Sequence, residues 1–256
     1  MNKITTNQII TIIATLVTIT VNGLANAIPF NGQATGEISD RFAIYFVPAG
    51  YVFSIWGLIY LSLLAFTVYQ AMPAQRDNPL LKKIYPAYWI GSLANSIWVF
   101  LWHYEFFPLT LVAMLTILAT LLYIYRQIST ASGQLDRNQK WFIRFPFSIY
   151  LGWISVATIA NVSQVLFFTN WGGWGISGPT WAVIMLAVAA LLGLLMLWRE
   201  RDIPYALVLI WAFVGIAVSQ ADTALVANSA WVTTGVLVIL GAVIFFNRNK
   251  ASQVTA

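Results

Sequence analysis

Asn95, Trp98 and Trp102 follow one another at spacings of three and four inside an otherwise apolar stretch, IGSLANSIWVFLW from Ile90 to Trp102. With Gly91 they fall along one stripe of a helix. An amide surrounded by hydrocarbon must find its partners within the protein, so Asn95 is expected to face a bundle interior or a cavity. The pattern recurs downstream, where Tyr150, Trp153, Ala157, Asn161 and Gln164 share a face, and upstream in Phe53, Trp56 and Tyr60. Asn22 adds one more amide near the end of the first apolar run. Aromatic walls with a few amide donors and acceptors suit the binding of a large, flat, apolar ligand with polar edges. The same residues have a plainer use, with amides as interhelical glue worth about 1 kcal/mol each and tryptophans as packing. Spacing alone favours the plainer use.

Other chemistries lack members. The chain has no cysteine and one histidine, His103, so a thiolate site and a multi-histidine metal site are excluded. Beside Glu105 at the end of its span, His103 is expected to be an interfacial side chain, the alternative being a one-sided haem ligand. No acidic or basic residue lies clearly mid-span, which leaves a proton relay or ion-coupled site without components. No serine has a recognisable His and carboxylate pair. Gly172-Gly173-Trp174-Gly175 makes an external turn and lacks the strand and the Lys-Ser/Thr of a phosphate loop. The chain is expected to be no enzyme, and no cofactor is called for; porphyrin or haem enters as a ligand at most.

The elements that hold these residues are membrane helices. Of 256 residues 60% are hydrophobic and 8% charged, far from the balance of an ordinary soluble domain. A span takes about 20 mostly apolar residues, and the loops divide the chain into about eight. They run near Gln8–Ile28, Pro48–Gln70, Tyr85–Tyr104, Phe107–Gln127, Phe145–Phe168, Pro179–Trp198, Pro204–Gln220 and Trp231–Phe246. The class is therefore an all-α integral membrane protein. The basic residues alternate with the spans so that all but Arg41 fall on one side, which by the positive-inside rule puts both termini in the cytoplasm. A short cationic N-terminus and this bias fit a bacterial cytoplasmic membrane. The first span also imitates a signal peptide, with Lys3 ahead and Leu24-Ala25-Asn26-Ala27 behind, but its removal would take a wall from the bundle.

Pro29 to Phe46 is the longest external loop and the one with room to form a lid. Pro86, Pro146 and Pro204 are each expected in the first turn of a helix, where a missing N–H costs little. They, and the recurring Ile-Trp pairs, fit either duplicated hairpins or the common placement of such residues. Ala189 and Gly193 form a small-xxx-small pair suited to close packing or a dimer.

Phe53-x-x-Trp56-x-x-x-Tyr60 after Pro48-Ala49-Gly50, then Ala94-Asn95-x-x-Trp98, then Pro146 with Trp153, Ala157 and Asn161 carry a likeness. In their order and spacing across the first five spans, the chain resembles the tryptophan-rich sensory protein family, also called TspO/MBR or translocator proteins. The resemblance implies a five-helix bundle whose cavity binds porphyrins, sterol-like lipids and aromatic drug-like molecules, with dimers in some members. It implies that Trp56, Asn95, Trp98, Trp153 and Asn161 line or shape the cavity. The loop NGQATGEISDRFAIYFVPAG departs from the family in lacking tryptophan and a proline-rich run, so no lid contact is carried over. Three further spans follow, and the expected division is a TspO-like bundle over 1–173 and a three-helix extension over 174–256.

The expected ligand-binding set is Trp56, Tyr60, Asn95, Trp98, Trp153, Asn161 and Gln164. The expected function is a membrane receptor or carrier of a tetrapyrrole or sterol-like ligand; the alternative is a transporter of a small apolar or amphipathic substrate. The partners are the bilayer, the ligand and a second copy of the chain, with no nucleic acid because no basic patch with interleaved aromatics is present.

Overall fold

The computed structural model describes residues 4–254, with side chains described for 4–246. Among these residues there are helices and no strand. Eight long helices are α1 Thr6–Ala27, α3 Ile55–Ala71, α4 Pro79–His103, α5 Phe107–Thr130, α6 Arg137–Phe168, α7 Gly178–Glu200, α8 Ile203–Ser219 and α9 Ala224–Val254; a short α2, Thr35–Asp40, lies in the first long loop. Six of them (α1, α3 with the Gly50–Ser54 turn before it, α5, α6, α7 and the Ala224–Phe246 part of α9) are long and apolar enough to cross a membrane. The chain is an all-α integral membrane protein.

Local chemistry caps five of the long helices. Thr5 and Gln8 form a reciprocal cap at α1, Asn78 caps α4, Asp136 caps α6, Ser177 caps α7 and Asp202 caps α8. Proline stands in the first turn of α4, α5, α7 and α8. Two of the three expected proline starts are displaced. Pro86 is interior to α4, which begins a full two turns earlier at Pro79. Pro146 is interior to the continuous helix from Arg137, directly after a π-turn at Lys140–Arg144. A proline cannot donate to the carbonyl four residues back, and a widened turn ahead of it relieves the crowding. Polar caps upstream, Asn78 and Asp136, extended both helices beyond their apolar runs.

Helix α6 is the axis of the molecule. Every residue from Pro146 to Ile154 is buried, the mark of a helix surrounded on all sides. Helices α1, α3, α4 and α5 enclose one flank of it. Gly91 lets α4 and α5 approach until Thr120 Oγ1 lies 2.7 Å from where a Cβ would sit. Helix α8 lies on the other flank, and Gly152 allows it, since a Cβ there would stand 3.1 Å from the Tyr205 carbonyl oxygen. Ala189 and Gly193 are buried, with Gly193 against Leu209 and Leu237, so this small-residue pair packs α7 on α8 and α9 within the chain. One hydrophobic core runs from Phe46 to Leu237 across the Gly172–Gly175 turn.

The bonding of α1 to its neighbours is polar along its length. Gln8 donates to the Gln70 carbonyl at 2.7 Å, Trp89 Nε1 donates to Thr11 at 2.9 Å, Thr15 Oγ1 lies 2.7 Å from Thr67 Oγ1 and 2.6 Å from Tyr88 OH, and Thr18 donates to the Ser92 carbonyl at 3.3 Å. With Asn22 these residues advance by three or four and make one stripe. In hydrocarbon such bonds replace the hydrophobic drive between helices.

Alternating helix directions give the bundle a lid end, with α2, and a basic end, where Lys140, Arg144, Arg199 and Arg201 gather at the α5–α6 and α7–α8 connections. Exposed Trp141 and Trp198 stand at the basic end, and Trp171, Trp174 and Trp181 cluster at the lid end with ring centroids 5.3 to 5.9 Å apart. Trp181 Nε1 ties that cluster to the Gly173 carbonyl at 2.9 Å.

Candidate functional site

Beneath the lid lies a cavity of about 490 Å³, walled by α1, α3, α4, α5 and α6. Trp56, Tyr60, Asn95, Trp98, Trp153, Asn161 and Gln164 all line it. So do Phe53, Ala157 and Asn22, which share their faces. Gly91 and Tyr150 do not reach it. Gly91 opens on a far smaller void between α1, α4 and α5, and Tyr150 stands behind the wall as a hydrogen-bond partner.

The amides Asn95, Asn161 and Gln164 on the wall each have a defined support. Asn95 accepts from Asn22 Nδ2 at 2.7 Å and donates to Tyr150 OH at 2.9 Å, so one amide joins α1, α4 and α6. Asn161 accepts from Trp98 Nε1 at 3.3 Å and donates to Thr110 at 2.9 Å, joining α4, α5 and α6. Gln164 donates to Ser39 of α2 at 3.4 Å. These amides are therefore glue between helices and, on their other side, part of the cavity surface. Glue and pocket are not alternatives at these positions.

The aromatic wall interlocks. Trp56 stacks on Tyr60 at 5.3 Å and meets Tyr150 and Trp153 edge to face at 5.8 and 6.2 Å. Phe53 meets Trp153 edge to face at 5.7 Å, and Trp98 stacks on Trp102 at 5.1 Å. Such pairs fix the rings and leave π-faces and edges as the lining. Trp153 is buried to 2% exposure, yet its Nε1 has no hydrogen-bond partner among the described residues. A buried donor left without an acceptor costs about 1–3 kcal/mol, so this enclosed N–H is an unmet donor within the packing of the wall.

The lid is built from residues that the sequence left undifferentiated. Thr35, Gly36, Ser39 and Asp40 of α2 line the cavity mouth. Ile38 is wholly buried and, with Phe42, sits on Trp102 and Phe107. His103, expected at the interface, is instead 1% exposed and pins the lid from below. Its Nε2 lies 3.0 Å from Thr35 Oγ1 and its Nδ1 3.2 Å from the Phe30 carbonyl oxygen, while its own carbonyl accepts from Asn31 at 3.1 Å. Trp102 Nε1 donates to the Thr35 carbonyl at 3.2 Å, and Arg41 pairs with Glu105 at 2.8 Å on the surface. Both ring nitrogens of His103 are occupied, so neither the interfacial nor the haem-ligand reading describes it. No signal marked this role, since a six-residue helix is too short for periodicity to show. Among the described residues no group of His, Cys, Asp and Glu can hold a metal ion.

A model of the TSPO-like protein family matches residues 8–243. The chain belongs to that family. The match passes through α7, α8 and into α9, so the TSPO-like pattern covers the last three helices as well as the five that carry the recognisable motifs. No curated protein and no solved structure matched the chain.

Proposed function

We propose that this TSPO-like protein is a non-enzymatic membrane receptor or carrier that takes a large, flat, apolar ligand, of the tetrapyrrole or sterol-like class, into the cavity beneath the lid. The observation that carries the reading is the cavity itself. Its volume falls within the range of about 300–1,000 Å³ usual for small-molecule sites, and its wall is interlocked aromatic rings with a few fixed amides. Trp153 contributes its ring to that wall, with its Nε1 enclosed behind it. Asp40 at the mouth is the single carboxylate in the lining, which holds no histidine, lysine or arginine, so no acid–base pair is assembled. Regulation or delivery follows more naturally from such a site than conversion does. The uneven distribution of basic residues supports a bacterial cytoplasmic membrane with both termini inside.

The test is titration of the detergent-purified chain with protoporphyrin IX, followed by tryptophan fluorescence quenching, with Trp56→Phe and Trp153→Phe in parallel. Saturable quenching at micromolar concentration is expected, with each substitution weakening it severalfold while the thermal midpoint holds. Linear quenching that never saturates would overturn the binding reading for this ligand class and put uptake assays of smaller amphipathic substrates first.

A further inference from the structure

At the basic end, the α5–α6 and α7–α8 connections meet around a second cavity of about 530 Å³, lined by Lys140, Arg144 and Arg201 together with Ser148, Glu200 and Asp202. It shares no lining residue with the cavity beneath the lid.

The two carboxylates already have partners inside the protein. Asp202, 2% exposed, accepts from Tyr125 OH at 2.6 Å, from the Tyr205 backbone N–H at 3.1 Å and from Ser148 Oγ, and the Arg144 guanidinium lies 3.8 Å away. Glu200 accepts from Ser129 Oγ through its side chain and from Arg144 Nη2 through its carbonyl at 2.7 Å. Arg144 is thereby held in place. The Lys140 and Arg201 side chains make no hydrogen bond or ion pair among the described residues, so the cavity is left with unspent positive charge. Arg201 also ends α7 with φ 50° and ψ 39°, a left-handed conformation in which glycine would be the less strained residue. An arginine held there places a cation where backbone economy alone would not.

Beside the charges, the same cavity is lined by Trp141 and Phe145, with ring centroids 5.7 Å apart, and Trp141 is exposed, a residue type enriched where headgroups meet hydrocarbon. A free phosphate would use the cations alone; a phosphodiester carrying acyl chains would use both surfaces. We propose that this cavity binds the phosphate group of an anionic glycerophospholipid, with Lys140 and Arg201 as its charge partners, Arg144 fixed between them, and Trp141 and Phe145 against the glycerol and first methylenes. Basic pockets between helices at the membrane surface are suited to such headgroups.

The full chain in detergent would be titrated with phosphatidylglycerol or phosphatidylcholine of identical chains and read by native mass spectrometry, with inorganic phosphate as a competitor. Lys140→Gln with Arg201→Gly is the test variant; glycine fits the left-handed backbone, so folding is retained, and thermal midpoints verify it. Arg126→Gln, exposed in the last turns of α5 outside the cavity, is the control. One saturable site preferring phosphatidylglycerol is expected, weakened roughly tenfold in the double variant and unchanged in the control. Displacement by millimolar phosphate supports the site and its anion chemistry; inorganic phosphate binding as tightly as the lipid assigns it to soluble phosphate esters instead. Equal binding of the two lipids, or an unaffected double variant, overturns the proposal.

Discussion

Asn95 shows how much one side chain carries in this fold. Its two polar ends reach Asn22 and Tyr150, so three helices register on a single amide. Removing the amide strands the tyrosine hydroxyl, whereas removing both ends of that bond strands less, and a double-mutant cycle isolates the difference. Asn95→Ala with Tyr150→Phe is expected to give a coupling energy of about 1 kcal/mol, read from unfolding in mixed micelles. Asn161→Ala is expected to cost about 1 kcal/mol by orphaning Trp98 Nε1 and Thr110; additive, near-zero effects at both sites would leave packing alone to hold these helices. Spacing told which residues share a face, because 3.6 residues per turn is a property of the backbone. It did not tell which partner each amide takes. Tyr150 shares a face with Trp153 yet serves behind the wall, and Thr110 carried no mark at all.

At the scale of elements, the spans were legible because apolar runs between charged and Gly/Pro-bearing connections have one solution in a bilayer. Their starts were not, because a cap chosen by Asn78 or Asp136 outranks a proline that the helix can absorb. The stripe of Gln8, Thr11, Thr15, Thr18 and Asn22 was present in the sequence at helical spacing, but threonine is so common in apolar spans that it reads as filler. The loop's length marked it as a candidate lid, but what orders it was hidden for a different reason. Its order comes from contacts to α4 some seventy residues away, above all from His103. His103→Leu keeps the volume and removes both ring bonds, each worth about 1 kcal/mol. Hydrogen exchange of the 30–42 amides is expected to rise about tenfold or more in this variant, with little change in the amides of α4 and α6. If porphyrin binds beneath the lid, its dissociation should quicken in the same variant. Exchange in the lid indistinguishable from the parent chain would mean that Ile38 and Phe42 hold it without the histidine.

For the whole molecule the question is whether the last three helices are an appendage to the cavity or part of it. A division at residue 173 falls on a real turn, and the family match runs on to residue 243. Small residues at a helix surface announce close packing without saying whether the neighbour belongs to the same chain or another. Here Gly152, Gly193 and Gly215 are all spent within the chain. Gly215 is the sharpest case. Its carbonyl accepts the Ala49 backbone N–H at 3.1 Å, and Trp211 one turn before it donates to the Val52 carbonyl at 3.0 Å. Helix α8 thus grips the segment that leads into α3, and Pro48, Gly50 and Phe53 of that segment line the cavity. A Cβ on Gly215 would lie 2.2 Å from Val52 Cγ2 and 3.0 Å from Pro48 Cβ, a clash relieved by repacking of the buried Val52 or by movement of the segment. Gly215→Ala is therefore expected to destabilise the chain by about 1–3 kcal/mol and to weaken protoporphyrin binding severalfold, although residue 215 is not in the wall. Gly235→Ala, with open space around its Cβ on α9, is the matched control and should be neutral or slightly stabilising. A Gly215→Ala protein with parental stability and binding would show that the outer helices do not shape the cavity. Loss of both in that variant alone makes all eight long helices one unit around the site.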